Sequence, residues 1–202
     1  GDTYEIVNHK REIPLVFERE AFSYPDSVRP HDALITFSRK AVLQTAAELE
    51  SEGYRPSVIY GALPYSVRKE EMRKFYDGET DLVVATDAIG MGINLPIERI
   101  VFLQDEKYDG VISRKLKGQE IKQIAGRAGR KGMYEKGYVN ALEDSEYLRR
   151  QLYAPQRKIA YACIQMPDTL LQLDMKLSET MERWAKIEDQ GMFKKADMTE
   201  NL

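Results

Sequence analysis

Leu82-Val83-Val84-Ala85 is an uninterrupted apolar run of strand length, and it limits the possible folds more than any other stretch of the chain. A strand with one solvated face alternates apolar and polar residues, whereas a run without alternation needs cover on both faces, as strands of parallel sheets have. Parallel neighbours in turn require long crossovers, commonly helical. The surrounding sequence supplies them. From Asp32 onward the pattern predicts strand 33–37, helix 39–52 capped by Ser38 and stopped by Gly53, strand 57–60 and helix 67–76. The run itself follows, then a loop with at most one helical turn, strand 99–103, a basic loop, helix 119–129 and strand 137–141. The expected class is α/β, a doubly wound parallel sheet with helices on both faces.

The two ends read differently. Residues 4–8 alternate well enough for an edge strand, and Pro14, Pro25 and Pro30 break the remainder into a linker with one short helix. The chain opens on Gly1 and not on methionine, so residues 1–30 read as a lead-in from a preceding domain. Beyond Asp144 only helices are expected, over 147–152, 157–164 and a longer piece near 169–187, with Pro155 and Pro167 between them. Leu170, Leu171, Leu173, Met175, Leu177, Met181 and Trp184 nearly encircle the last helix, which suits contact with another domain or with this domain's own sheet. Residues 188–202 are polar and expected to fray. The division is therefore a lead-in over 1–30, an α/β domain over 31–144 and a helical extension over 145–202.

Composition narrows the function classes. A length of 202 residues suits one sizeable core with an appendage. No apolar run approaches the roughly 20 residues of a membrane span, so no membrane partner is expected. A single cysteine, Cys163, cannot form an internal disulfide, and with His9 and His31 alone there is no cluster for a metal; a reducing cytosol or organelle matrix fits. The net charge of −3 argues against binding nucleic acid by bulk charge. Locally, residues 111–136 hold Arg114, Lys115, Lys117, Lys122, Arg127, Arg130, Lys131 and Lys136 against Glu120 and Glu135, a basic zone of +6. No G-x-x-x-x-G-K-[ST] occurs, so a phosphate-cradling loop with its lysine is not in this chain. Asp105-Glu106-Lys107-Tyr108 reads as an exposed acidic turn after a strand.

Two segments carry chemistry. After the apolar run, Thr86 and Asp87 are presented at a strand's carboxyl end, where open α/β sheets bind ligands. Gly90 and Gly92 there let the backbone approach a phosphate. In Gln123-Ile124-Ala125-Gly126-Arg127-Ala128-Gly129-Arg130, helical geometry puts Gln123, Arg127 and Arg130 within a sector of about 60°, an amide and two guanidiniums converging on one point. Arginine suits that task because its planar fork stays charged and pairs with phosphate oxygens. Ser38, Gly61 and Thr86, all at strand ends, offer hydroxyls or N–H groups to the phosphates of a nucleic-acid strand. Ser38 also reads as a helix cap and Gly61 as a simple turn. Arg39 and Arg68 read as solvent-facing.

Thr86-Asp87 through Pro96 resembles motif V, Gln123 through Arg130 resembles the QxxGRxGR motif VI, and Leu34-Ile35-Thr36-Phe37-Ser38 is similar to motif IV of superfamily 2 helicases. The nearer likeness is to the suppressor-of-Var family, RNA helicases of the mitochondrial degradosome and their bacterial relatives. It rests on Ile35-Thr36-Phe37-Ser38-Arg39-Lys40, Val58-Ile59-Tyr60-Gly61-Ala62-Leu63-Pro64 and the run from Val84 to Leu95. The resemblance implies the second RecA-like domain of an ATP-dependent RNA helicase, with ATP and Mg²⁺ held mainly by a first domain outside this chain. It implies that Arg127 and Arg130 act as arginine fingers, that Gln123 positions water or phosphate, and that Asp87 meets the ribose or couples to the fingers, with Gly90 and Gly92 by the cleft. Implied partners are RNA, single-stranded or with a 3′ overhang, the first RecA-like domain of the same polypeptide, and an exoribonuclease. The implied location is the bacterial cytoplasm or the mitochondrial matrix. A DNA helicase or translocase with the same core, and a non-catalytic nucleic-acid-binding module, remain the alternatives. The chain by itself is expected not to hydrolyse ATP.

Overall fold

The computed structural model describes residues 11–90, 94–155, 162–167, 174–188, 191 and 193–195. In chain order the first of two units, residues 1–154, contains β1 (Leu15–Phe17), β2 (Asp32–Ile35), α1 (Arg39–Ser51), β3 (Pro56–Ile59), α2 (Tyr65–Tyr76), β4 (Leu82–Ala85), a 3-10 turn (Asp87–Gly90) and β5 (Arg99–Phe102). It continues through β6 (Glu106–Tyr108), β7 (Ser113–Lys115), α3 (Gly118–Ala125), β8 (Gly137–Ala141) and α4 (Ser145–Tyr153). Six strands make one parallel sheet in the order β1-β8-β5-β2-β4-β3. Direction reverses at β2: the chain fills β4 and β3 on one side, then β5 and β8 on the other. The carboxyl ends of β2, β3, β4 and β5 therefore release Thr36, Tyr60, Thr86 and Leu103 along one edge of the sheet.

The apolar run forms β4, and all four residues are buried. Val83 and Ala85 face a core shared with Phe75 of α2, Ile89 of the 3-10 turn, Ile121 and Ile124 of α3, and Leu148 of α4. Leu82 and Val84 face the opposite core, closed by Val42 and Leu49 of α1 and by Phe22 and Val28. Helices thus cover both faces, though α1 shares its face with the irregular segment that holds Phe22 and Val28. Each such large side chain contributes about 1.5–3 kcal/mol through burial.

Where residues 1–30 were expected to be a linker with a short helix, residues 15–17 are the edge strand β1, with Leu15 in register with Gly137 of β8. Leu15-Val16-Phe17 is apolar, and an uncovered β8 edge offers it a full ladder; the Phe17 N–H donates to the Tyr153 hydroxyl of α4 at 2.9 Å. The predicted strand over 4–8 lies outside the described residues. The segment after β1 is fixed by a buried ionic cluster. Arg99, at the start of β5, donates from Nε to Asp32 Oδ1 at 2.8 Å, from Nη2 to Asp32 Oδ2 at 2.6 Å and to the Ser27 carbonyl at 2.7 Å, and from Nη1 to Glu18 at 2.9 Å. Asn140 Nδ2 also donates to Glu18, at 3.0 Å. The Asp32 side chain is fully buried and that of Arg99 is 5% exposed.

Other expectations need correction. The basic loop and acidic turn after β5 are an antiparallel hairpin, β6 with β7, whose turn is held by Asp109 accepting the N–H groups of Val111 and Ile112, both at 3.1 Å. Predicted helix 119–129 ends at Ala125. The second unit, residues 155–202, was expected to be helical, yet residues 162–164 form β9 (Ala162–Ile164), parallel to β10 (Phe193–Lys195). Short apolar runs such as Cys163-Ile164 suit strand and helix equally, and pairing decided the outcome. Of the long helix predicted over 169–187, the described part is α5 (Leu177–Lys186); residues 156–161, 168–173 and 196–202 lie outside the described residues. Among the described residues no helix is long and apolar enough to cross a membrane.

Candidate functional site

Gln123 sits on α3, Gly90 ends the 3-10 turn, and the two meet: Gln123 Nε2 donates to the Gly90 carbonyl at 3.4 Å, and Arg127 Nη2 donates to that same oxygen. A Cβ on Gly90 would stand 3.2 Å from Gln123 Cγ, so the glycine permits this approach. The convergence of Gln123 and Arg127 holds, but its cause is not a continuous helical face. After Ala125 the chain tightens into i→i−3 bonds, Arg127 N–H to the Ile124 carbonyl and Ala128 N–H to the Ala125 carbonyl, both at 3.0 Å. It then leaves the helix at Gly129, which has φ +70°. Gly129 is compelled twice over, since a Cβ there would lie 2.5 Å from the Gly137 nitrogen, where the loop crosses the start of β8.

Arg130 therefore lies past the helix end. Its guanidinium stands 5.3 Å above the Tyr76 ring, and its Nη1 is buried without a hydrogen-bond partner. Arg127 and Arg130 line one cavity of about 450 Å³ together with Arg11, Asn94, Leu95 and Lys131. Gly92 lies outside the described residues.

Asp87 opens the 3-10 turn and pairs with Lys107 of β6 at 3.0 Å. Lys107 also pairs with Glu120 at 2.7 Å, and Glu120 accepts from Arg114 at 2.9 Å and from the Lys117 N–H at 2.7 Å, capping α3. A chain of ion pairs thus joins Asp87 to the amino end of the helix that carries Gln123. Burial works against the Lys107 charge, but Glu120 and Asp87 outweigh it and raise its pKa. The Arg114 fork, helped by Lys107, holds the Glu120 carboxyl down to about 2. Because that value is below the ordinary 4.5, the stability Glu120 contributes is complete above pH 4.5 and is lost as pH falls toward 2. Thermal melts between pH 5 and about pH 2 are expected to show this loss, and Glu120→Gln is expected to flatten it; an unchanged profile in the variant would show that the cluster does not bear on folding.

The basic zone around residues 111–136 is largely neutralised by acids outside that window. Arg114 pairs with Asp109, Lys115 with Asp105 and Asp144, and Lys131 with Glu12. The three residues expected to meet nucleic-acid phosphates are spread along the sheet's carboxyl edge. Ser38 Oγ caps α1 by accepting from the Ala41 N–H at 3.0 Å. Gly61 is exposed, and its carbonyl accepts from Arg68 at 2.8 Å, so Arg68 props this turn and does not face solvent freely. Arg39 lies over the Tyr60 ring at 5.5 Å. Thr86 is buried, its hydroxyl accepting from the Ala88 N–H at 3.3 Å. Beside Ser38 a second cavity, about 440 Å³, is walled by Asp105, Glu106 and Glu143 as well as Lys107. Sequence reasoning missed Arg11, Lys107 and Glu120, whose partners are brought to them only by the fold.

The sheet is parallel and reverses at β2, and an amide and a guanidinium meet at the Gly90 carbonyl of the turn that follows β4. The helicase conserved C-terminal domain family matches residues 17–132, and the chain belongs to that family. It is 41% identical over 170 residues to the mitochondrial ATP-dependent RNA helicase SUV3 of Candida albicans, covering 81% of this chain and 24% of that protein. It is 42% identical over 161 residues to the mitochondrial DExH-box ATP-dependent RNA helicase DExH16 of Arabidopsis thaliana, covering 77% of this chain and 28% of the relative. The chain thus spans about a quarter of the length of these relatives. A Saccharomyces cerevisiae Dbp5 structure, solved with RNA and ADP–BeF3, shares the fold at 16% identity and TM-score 0.51, over 63% of this chain and 33% of that one.

Proposed function

We propose that this chain is the second motor domain of an ATP-dependent RNA helicase, and that Gln123, Arg127 and Arg130 act on ATP held by the first domain of the same polypeptide. The observation that carries the reading is the cavity that Arg127 and Arg130 line together; the Arg130 guanidinium lies over Tyr76, with its Nη1 buried and lacking a hydrogen-bond partner. A buried donor without an acceptor costs free energy, and an incoming phosphate oxygen relieves it. Mg²⁺ belongs with the nucleotide on the first domain; among the described residues no three His, Cys, Asp or Glu side chains are grouped to hold a metal. Arg127 and Arg130 stabilise charge on the transferring phosphoryl group, Gln123 orients the phosphate or the attacking water, and Asp87 couples the cleft to α3 through Lys107 and Glu120. Gly90 borders the cleft. Ser38, Gly61 and Thr86 mark the path of an RNA strand, single-stranded or with a 3′ overhang, over the sheet's carboxyl edge. The functional division is the lead-in over 1–30, the motor domain over 31–144 and the extension over 145–202. The mitochondrial relatives support a place in the mitochondrial matrix, where an exoribonuclease is a fitting partner.

The purified chain is expected to show no ATP turnover and to bind ATP no more tightly than the millimolar range in a calorimetric titration. Micromolar affinity would place a complete nucleotide site here and overturn the domain assignment. In the full-length protein, turnover is expected to rise with single-stranded RNA; stimulation by single-stranded DNA alone would move the reading to a DNA translocase.

A further inference from the structure

Arg11 precedes β1, far in sequence from the arginine loop, yet its guanidinium grips that loop on both sides of Arg127. Nη1 donates to the Gly126 carbonyl at 2.6 Å, Nη2 donates to the Ala128 carbonyl, and Nε donates to the Ile13 carbonyl at 2.5 Å. Gly126 and Ala128 lie past the last turn of α3, where helix carbonyls lose their intrahelical donors. A planar fork supplies two parallel donors at fixed spacing, which an ammonium cannot do. The third bond ties the same guanidinium to the segment leading into β1.

We propose that Arg11 is a positioning residue for the arginine finger: it fixes the backbone on either side of Arg127 and so sets the direction of that side chain toward the transferring phosphate. This rests on the motor reading above. Arg11 acts through Arg127 and not on the nucleotide.

The test is a cycle in the full-length enzyme comprising Arg11→Ala, Arg127→Ala and the double variant, with Arg11→Lys as a second substitution. RNA-stimulated turnover, single-turnover hydrolysis and melting temperature are measured for each. Arg11→Ala is expected to lower kcat by roughly 10- to 100-fold, the scale of a misplacement near 1 Å, with KM for ATP changed by less than about twofold. In the Arg127→Ala background the same change is expected to cost nothing further, because the two act as a unit. Arg11→Lys is expected to lose as much as Arg11→Ala. Unchanged kcat, equal losses in both backgrounds, full rescue by lysine, or a raised KM with kcat intact would each overturn the proposal, the last by placing Arg11 on the nucleotide itself. The two readings fail separately. Near-normal turnover in Arg127→Ala removes the motor assignment of that finger, whereas a dead Arg127→Ala beside a normal Arg11→Ala removes only the role of Arg11.

Discussion

Arg127→Ala in the full-length enzyme lowers kcat for RNA-stimulated ATP hydrolysis by roughly 10³-fold or more, and leaves RNA affinity nearly unchanged. The expectation follows from where the side chain stands. Arg127 lines the cavity with Arg130, and its Nη2 is held against the Gly90 carbonyl, so the guanidinium is aimed before any nucleotide arrives. A preaimed fork stabilises charge that develops in the transition state without reorganising, which affects turnover far more than ground-state binding. Arg127→Lys rescues poorly, since a point charge does not reproduce two directed contacts. The same loss is expected of Arg130→Ala, because the Arg130 Nη1 is a buried donor in need of an acceptor. If these arginines served the fold alone, melting temperature would fall while kcat survived in the folded fraction. Turnover measured beside the melting curve for each single variant separates the cases, and near-wild-type turnover in either removes that residue from the catalytic set.

The second large effect is on stability and lies where β2 and β5 begin. Asp32→Ala takes two acceptors from the Arg99 guanidinium in a nearly dry site and leaves it Glu18 and the Ser27 carbonyl. Removing one partner of a buried ion pair costs about 3–5 kcal/mol, far more than the pair itself contributes relative to apolar residues of similar volume. For a chain of this size the melting temperature is expected to fall by roughly 10 °C. Asp32→Asn keeps an acceptor for the Arg29 N–H, bonded at 2.9 Å, and is expected to be milder. Urea unfolding of both variants checks this, and a loss below about 0.5 kcal/mol in Asp32→Ala, the scale of a neutral surface change, would refute it.

Those two sites differ in how far the sequence disclosed them. Gln123 and Arg127 were legible together because they stand four residues apart, and the tightened turn after Ala125 still brings both to the Gly90 carbonyl. Arg130 was misplaced by the same reasoning, since the tightening after Ala125 and the positive φ of Gly129 are set by the crossing over Gly137. The strands Leu82–Ala85 and Gly137–Ala141 matched to the residue, burial dominating both. The β6–β7 hairpin escaped because Glu106-Lys107-Tyr108 and Ser113-Arg114-Lys115 carry no apolar signal; its turn is held by Asp109, and the like charges Lys107 and Arg114, opposite each other, are both met by Glu120 of α3. The Asp32–Arg99 cluster and the Arg11 clasp join residues 67 to 117 positions apart, a separation at which no local pattern carries information.

The register of β1 bears on the order in which the chain becomes whole during synthesis. Leu15 leaves the ribosome long before its ladder partner Gly137, and at about 5–20 residues per second the interval is roughly 6–24 s. Once β5 has emerged, β2 to β5 with α1 and α2 have what they need to condense, while β1 still lacks its ladder partner. Arg11 waits with it, because Gly126 and Ala128 emerge late as well. The loop around Arg127 is thus clasped only after the strands β2 to β5 are complete, so a nascent chain gains its folded centre well before the geometry of the proposed site.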